Sequence, residues 1–357
     1  MDLVGAARAV TPLAEIIARQ IAQTGPMPLR EYMSLCLSHP AHGYYTTRDP
    51  LGASGDFTTA PEISQMFGEL LGLSLAQAWL DQGAPSPFVL AELGPGRGAL
   101  MADALRAARA APGFVEAAEI WLIETSPTLR AEQARRVPGA NWADRLSDAP
   151  SLPLFLVANE FFDALPIVQF VREGGAWREK VVALEGDRLV YGLRPAQQRL
   201  DPAPEGAIRE ICPLLSNIGV EIAARISLRG GAAIVVDYGY AAPTEMGADT
   251  FQAMAAHAYV DPLDAPGEAD LTAHVDFSQL ARAARLGSAA SAGPIGQGAL
   301  LARLGIGARA DALAARGDAE AVAAALTRLT DPAEMGTLFK ALAMHPADAP
   351  PPPGFET

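Results

Sequence analysis

Three observations predict an α/β fold built on an open, doubly wound, mostly parallel sheet. From Phe88 onward, short apolar runs alternate with helical segments: "FVLAEL", "ALMADALRAARA", "EIWLIE", "SPTLRAEQARR", "PLFLVANE". Parallel strands need crossover helices, so this alternation is their signature. The apolar runs end on acids, at Glu92, Glu124, Glu160 and later Asp237, and the carboxyl ends of strands are where open α/β sheets place their ligands. A glycine turn at 94–98, "GPGRG", joins the first strand to its helix.

The elements follow in order. Residues 1–84 read as a mainly helical N-terminal region. Its first segment carries Leu13, Ile16, Ile17 and Ile21 on one face, with Gly25 as the stop. In "GDFTTAPEISQMFGEL", Thr59 and Glu62 form a capping box ahead of an amphipathic helix bearing Ile63, Met66, Phe67, Leu70 and Leu71. The core sheet is expected over 85–167 and 230–345. Between these, polar and apolar residues alternate around Gly174-Gly175 and Gly186-Asp187, which predicts antiparallel hairpins in an insertion of 168–229 that also holds a helix. The sheet resumes at "GGAAIVVDYGY". A Pro/Gly-rich stretch, 243–267, reads as a long loop. "DFSQLARAARLG" is a helix capped by Asp276 and Gln279. Ala/Leu-rich helices at about 297–332 form a small lobe, "MGTLFKALAMHP" a last strand, and 346–357 a disordered proline-rich tail.

Composition narrows the function. Among 357 residues, 41 acidic against 27 basic side chains give a net charge of −14. A phosphate backbone would be repelled, so nucleic acid is not expected, whereas a cationic protein segment would be attracted. Cys36 and Cys212 lie in no CxxC pattern, which indicates neither a disulfide framework nor a thiolate metal site and fits a reducing cytoplasm. No apolar run reaches the roughly 18 residues of a membrane span, and the N-terminus lacks a signal peptide's apolar block. His39 and His42 have no third partner to suggest a metal.

The glycine turn admits two cofactors. Gly94, Gly96 and Gly98 form GxGxG, while Gly94, Gly96 and Ala99 also satisfy the dinucleotide fingerprint. Pro95 removes one of the N–H donors that a pyrophosphate needs. Glu92 would welcome the ammonium of S-adenosylmethionine, and Arg97 suits either a pyrophosphate or a ligand carboxylate. Glu124, ending the next strand, stands where a carboxylate grips ribose hydroxyls in either case.

Beyond the turn, the chain resembles a family. "GYY" at 43–45, "SGDFTTAPEISQMFGELLG" at 54–72, "ELGPGRGALMADALR" at 92–106, "ETSPTLRAEQ" at 124–133, "NEFFDALPIVQF" at 159–170, "VVDYGY" at 235–240, "DLTAHVDF" at 270–277, "GPIGQGALLARLGI" at 293–306 and "MGTLFK" at 335–340 run in order through it. They are similar to the class I S-adenosylmethionine-dependent methyltransferases typified by the mitochondrial complex I assembly factor of the MidA type. The resemblance implies a Rossmann-like sheet, S-adenosyl-L-methionine as cofactor, and methylation of an arginine on the hydrophilic quinone-site subunit of respiratory complex I.

It also assigns roles. Asn159 and Glu160 would face the reacting atoms; Glu160 is the first choice to clamp a guanidinium and Asp163 the second, with helix capping an equal alternative for Asp163. Glu92, Gly94, Gly96, Gly98, Glu124 and Asp144, with Gly55 and Asp56, are the cofactor candidates, Asp144 beside Trp142 framing the adenine or simply solvated. Thr58, Thr59, Asp237, Tyr238 and His274 are candidates for a lid or the substrate side, although Asp237 would equally anchor a loop and His274 equally stabilise one. The helical lobes offer a homodimer face or a docking surface. A non-catalytic assembly chaperone and, further off, an NAD-dependent oxidoreductase are the rival functions.

Overall fold

The computed structural model describes residues 11–47, 58–242 and 249–356. The chain divides into two compact units, one made of residues 58–163, 215–245 and 275–357, the other of 1–57, 164–214 and 246–274.

The first unit is the open sheet. Its strands are β1 (Phe88–Leu93), β2 (Ala118–Ile123), β3 (Asn141–Ala143), β4 (Leu154–Asn159), β5 (Gly231–Tyr240), β6 (Ala290–Gly296) and β7 (Phe339–His345). They lie in the order β6-β7-β5-β4-β1-β2-β3. The first five run parallel, and β7 is antiparallel to both β5 and β6. The chain steps outward from β1 to β3 and then returns to lay β4 on the other side of β1. This reversal opens a crevice beyond the carboxyl ends of β1 and β4. Strands β1, β4 and β5 are buried along their whole length, because helices cover both faces of a parallel sheet; that is why they read as continuous apolar runs.

The helices of this unit are α1 (Gln65–Asp81), α2 (Ala99–Ala108), α3 (Pro127–Arg136), α4 (Pro213–Arg229, of which Pro213 and Leu214 fall in the other unit) and α5 (Phe277–Leu286). A lobe of α6 (Gln297–Arg303), α7 (Ile306–Ala314) and α8 (Ala319–Thr330) follows. Helix α1 crosses α2 at small residues: a Cβ on Gly72 would come within 2.5 Å of the Ala104 Cα. The carboxylate of Glu69 on α1 is buried and accepts from Arg106 of α2 and from Arg309 of α7 (2.6 Å), tying the lobe to the sheet's helices. At the N-cap of α5, Asp276 accepts from the Ser278 N–H, and Gln279 donates to the same carboxylate.

Several expectations are corrected. Helix α1 is buried on almost all sides rather than amphipathic, since α2, β5 and the C-terminal segment surround it. Ser64, extended and accepting from the Met66 N–H, starts it, leaving Ile63 in a short preceding helix, Ala60–Ile63. The capping box does not form: the Thr59 side chain makes no cap bond and Glu62 pairs with Arg136 instead. Helix α1 therefore belongs to the sheet unit and not to an N-terminal region ending at 84, and nearly all of α4 joins it there. The tail is ordered. Phe355 is buried, the Ser74 hydroxyl donates to the Pro353 carbonyl, and Arg303 donates to the Gly354 and Glu356 carbonyls. Proline content suggested disorder, but apolar packing on α6 outweighs it.

The second unit joins the N-terminal helices, Pro12–Thr24, Leu29–Ser38 and Tyr44–Thr47, to the inserted hairpins. Strands Val168–Glu173, Ala176–Glu185 and Arg188–Pro195 meet at the expected turns, where Gly174 and Gly175 take positive φ, 61° and 73°. Within the segment expected as one loop, Gln252–Ala255 and Ala258–Val260 pair as a hairpin. Residues 243–248 lie outside the described part. Among the described residues, no helix is long and apolar enough to cross a membrane.

Candidate active site

The crevice is floored by the glycine turn. Gly94, Gly96 and Gly98 all have positive φ, 59°, 52° and 80°, a region that costs an L side chain roughly 1–2 kcal/mol. At Gly94 the space is closed as well: a Cβ would lie 2.8 Å from the Phe161 ring. Gly98 is the N-cap of α2, in the left-handed region and with no side-chain cap bond.

Glu92 stands at the end of β1, buried, with the Met101 N–H on its carboxylate. Among the described residues its Oε2 has no hydrogen-bond partner. Burial pushes its pKa up to about 8, so a cation arriving at this oxygen would both ionise and satisfy it. Glu124, just past β2, accepts from the Ser126 N–H at 2.7 Å, and burial raises its pKa above the usual carboxylate range. Past β3, Asp144 is exposed and paired with Arg130 at 2.7 Å, while Trp142 donates its indole N–H to Gln133 at 2.8 Å.

The end of β4 carries the densest polar group. Glu160 has φ +49°, a conformation non-glycine residues rarely adopt, and its N–H donates to the Val236 carbonyl of β5. Its Oε1 accepts from the Asn159 amide and from the Ala60 N–H, each at 3.0 Å. Glu160 thus supplies the cap that Thr59 does not give the helix Ala60–Ile63. Among the described residues nothing hydrogen-bonds its Oε2, and Asn159 Oδ1 is buried without a partner. Burial, and secondarily the Asp163 charge, pushes the Glu160 pKa up to about 7. The fully buried Asp237 accepts through Oδ2 from the Phe162 and Asp163 N–H groups and through Oδ1 from its neighbour Tyr238. It holds the 160–163 turn. Burial first, then Asp163 and Glu160, raises its pKa well above normal.

The strand ends of this unit therefore gather Glu92, Gly94, Gly96, Gly98, Glu124, Asp144, Asn159, Glu160, Asp163, Asp237 and Tyr238, with Thr58 and Thr59 leading into the helix bonded to Glu160. His274 belongs to the other unit, where its N–H donates to Thr250. Gly55 and Asp56 lie outside the described residues. Sequence reasoning missed Gln133, which is fully buried yet sits in a helix of mostly polar residues. Nothing in the local pattern marks it, because its polar partners come from three distant places in the chain. Among the described residues, no group of three or more His, Cys, Asp or Glu could hold a metal ion. The buried orphan oxygen of Glu92 and a turn that only glycine allows fit a ligand with an ammonium group pressed against backbone.

A fold of this order with such a crevice defines a class I methyltransferase, and the comparisons place the chain within it. Residues 70–295 match the family model described as "Putative S-adenosyl-L-methionine-dependent methyltransferase", and the chain belongs to that family. Its cofactor is S-adenosyl-L-methionine. Among curated relatives, the human mitochondrial protein arginine methyltransferase NDUFAF7 is 38% identical, with 94% of this chain and 84% of the relative covered. The Drosophila melanogaster homolog is 37% identical over 94% and 85%. A superfamily member from Burkholderia thailandensis, crystallised with S-adenosyl-homocysteine, has 27% identity and a TM-score of 0.83, covering 97% of this chain and 92% of that one. The relatives' names overturn one expectation: these curated relatives are mitochondrial proteins, against the cytoplasm expected from the sequence. Two cysteines in no CxxC pattern, the basis of the cytoplasmic expectation, do not distinguish two reducing compartments.

Proposed function

We propose that this methyltransferase modifies an arginine of a protein substrate, with Glu160 receiving the guanidinium. The observation that carries this reading is the state of the Glu160 carboxylate: Oε1 is fixed by two donors, while Oε2 has none. Names of relatives supply the arginine. The resemblance to complex I assembly factors supplies the protein, the hydrophilic quinone-site subunit of respiratory complex I.

When bound, S-adenosyl-L-methionine supplies an electrophilic methyl group on a sulfonium. The chain's residues do the rest. Glu92 Oε2 would meet the ligand's ammonium, Glu124 would take its ribose hydroxyls, and the glycine turn would let it approach backbone. Asp144 and Trp142, held by Arg130 and Gln133, form the wall at the end of β3. Arginine stays protonated at neutral pH, so nucleophilicity must come from charge localisation. Glu160 does this by accepting a guanidinium N–H at Oε2, drawing positive charge toward itself and fixing the plane of the group so that another nitrogen attacks the methyl carbon in line as the carbon–sulfur bond breaks; the attacking nitrogen then gives up one proton to solvent, and the product stays a monocation. The Asn159 Oδ1 offers a second acceptor. Asp237 serves as the anchor of the turn that carries Glu160.

Glu160→Gln tests the reading, since glutamine keeps an acceptor for Ala60 and Asn159 but loses the charge at Oε2. Methyl transfer to an arginine-bearing substrate is expected to fall roughly 100-fold, with S-adenosyl-homocysteine affinity little changed. Transfer at the wild-type rate would remove Glu160 from the reaction.

A further inference from the structure

Gln133 is fully buried on α3 and spends its amide on three separate places in the chain. Its Nε2 donates to the Gly96 carbonyl in the glycine turn at 2.7 Å and to the Glu124 carboxylate at 3.4 Å. Its Oε1 accepts the Trp142 indole N–H at 2.8 Å. The orientation is fixed by chemistry, because a flipped amide would set its oxygen against a carbonyl and a carboxylate and its NH₂ against an N–H. Three residues earlier, on the same face of the helix, Arg130 donates to the Glu124 carbonyl and pairs with Asp144. One face of α3 thus fastens the ends of β2 and β3 and the turn after β1.

We propose that Gln133 is a positioning residue for the cofactor crevice, setting the spacing between the glycine turn, the Glu124 carboxylate and the Trp142 wall. The inference rests on the reading that the cofactor's ribose meets Glu124. A side chain there must both donate and accept, which excludes Glu and Met alike: Glu would place a second carboxylate against Glu124 and the Gly96 carbonyl, and Met would leave that carbonyl and the Trp142 N–H unpaired. Holding the Gly96 carbonyl toward α3 also turns the Arg97 N–H the opposite way, since the two lie antiparallel across a trans peptide.

The test is calorimetric titration with S-adenosyl-homocysteine of the full chain, Gln133→Met, Glu124→Gln and the double variant, with steady-state kinetics on the same proteins. Gln133→Met is expected to weaken binding at least tenfold and to raise KM for the methyl donor, with kcat at saturating donor within threefold. In the Glu124→Gln background the same change is expected to cost less but not nothing, because only the part exerted through that carboxylate is gone while the bonds to Gly96 and Trp142 remain to be lost. Wild-type binding alongside an unaffected Gln133→Met variant would overturn the role of Gln133, and costs that simply add would overturn its action through Glu124. Absence of binding to the wild-type chain would overturn the crevice reading and this inference together.

Discussion

At Gly94, two separate demands fall on one residue: a φ of +59° and a Cβ position 2.8 Å from the Phe161 ring. Replacing it with alanine is expected to cost about 1–2 kcal/mol in backbone conformation and to push the ring or the turn into the crevice. Gly94→Ala should therefore bind S-adenosyl-homocysteine at least tenfold more weakly by calorimetry; unchanged affinity would mean that Phe161 moves aside freely. Residues like this one were legible in the sequence because glycines and acids are conspicuous at the ends of apolar runs. Gln133 was not, since a glutamine among charged helical residues reads as surface until tertiary structure buries it. The bond from the Ala60 N–H to Glu160 was hidden for the same reason, spanning 100 residues.

Among elements, the turn after β4 is tied to β5 because Asp237 of β5 accepts two N–H groups from it, besides one from its neighbour Tyr238. Asp237→Ala would strand these three buried donors, at about 1–3 kcal/mol for each unsatisfied group. Denaturant unfolding is expected to show a loss of at least 3 kcal/mol, together with loss of methyl transfer; a stable but inactive variant would instead assign Asp237 a direct part in the chemistry. The strands β1, β4 and β5 were readable because burial on both faces writes an apolar run. Strand β6 was not: "ASAGPIG" has neither bulk nor alternation, and it forms at the sheet's edge only because β7 is there to pair with it. Helix α1 showed half its apolar surface as periodicity while the rest, Gly68, Gly72 and Ser74 among it, looked neutral.

Across the whole molecule, folding takes two carboxyl groups out of the water that would normally ionise them. Glu92 and Glu160, at about 8 and about 7, lie above an unfolded carboxylate. Between about pH 4.5 and 8 the folded chain keeps protons that the unfolded chain has released, so these two groups make stability fall as pH rises through that window. Thermal melting of the ligand-free protein from pH 5 to 8 is expected to show the decline, and Glu92→Gln to flatten it; parallel curves would place the ionised carboxylate in a better-solvated site. Cofactor binding near pH 7 should release a proton from Glu92, seen as buffer-dependent binding enthalpy. Composition and charge were legible at this scale, and the compartment was not. The left-handed backbone at Glu160 carries a practical corollary. Glycine or asparagine would sit there at ease and neither would bury a charge, so a redesign that rewards thermostability alone will tend to discard the residue on which methyl transfer depends.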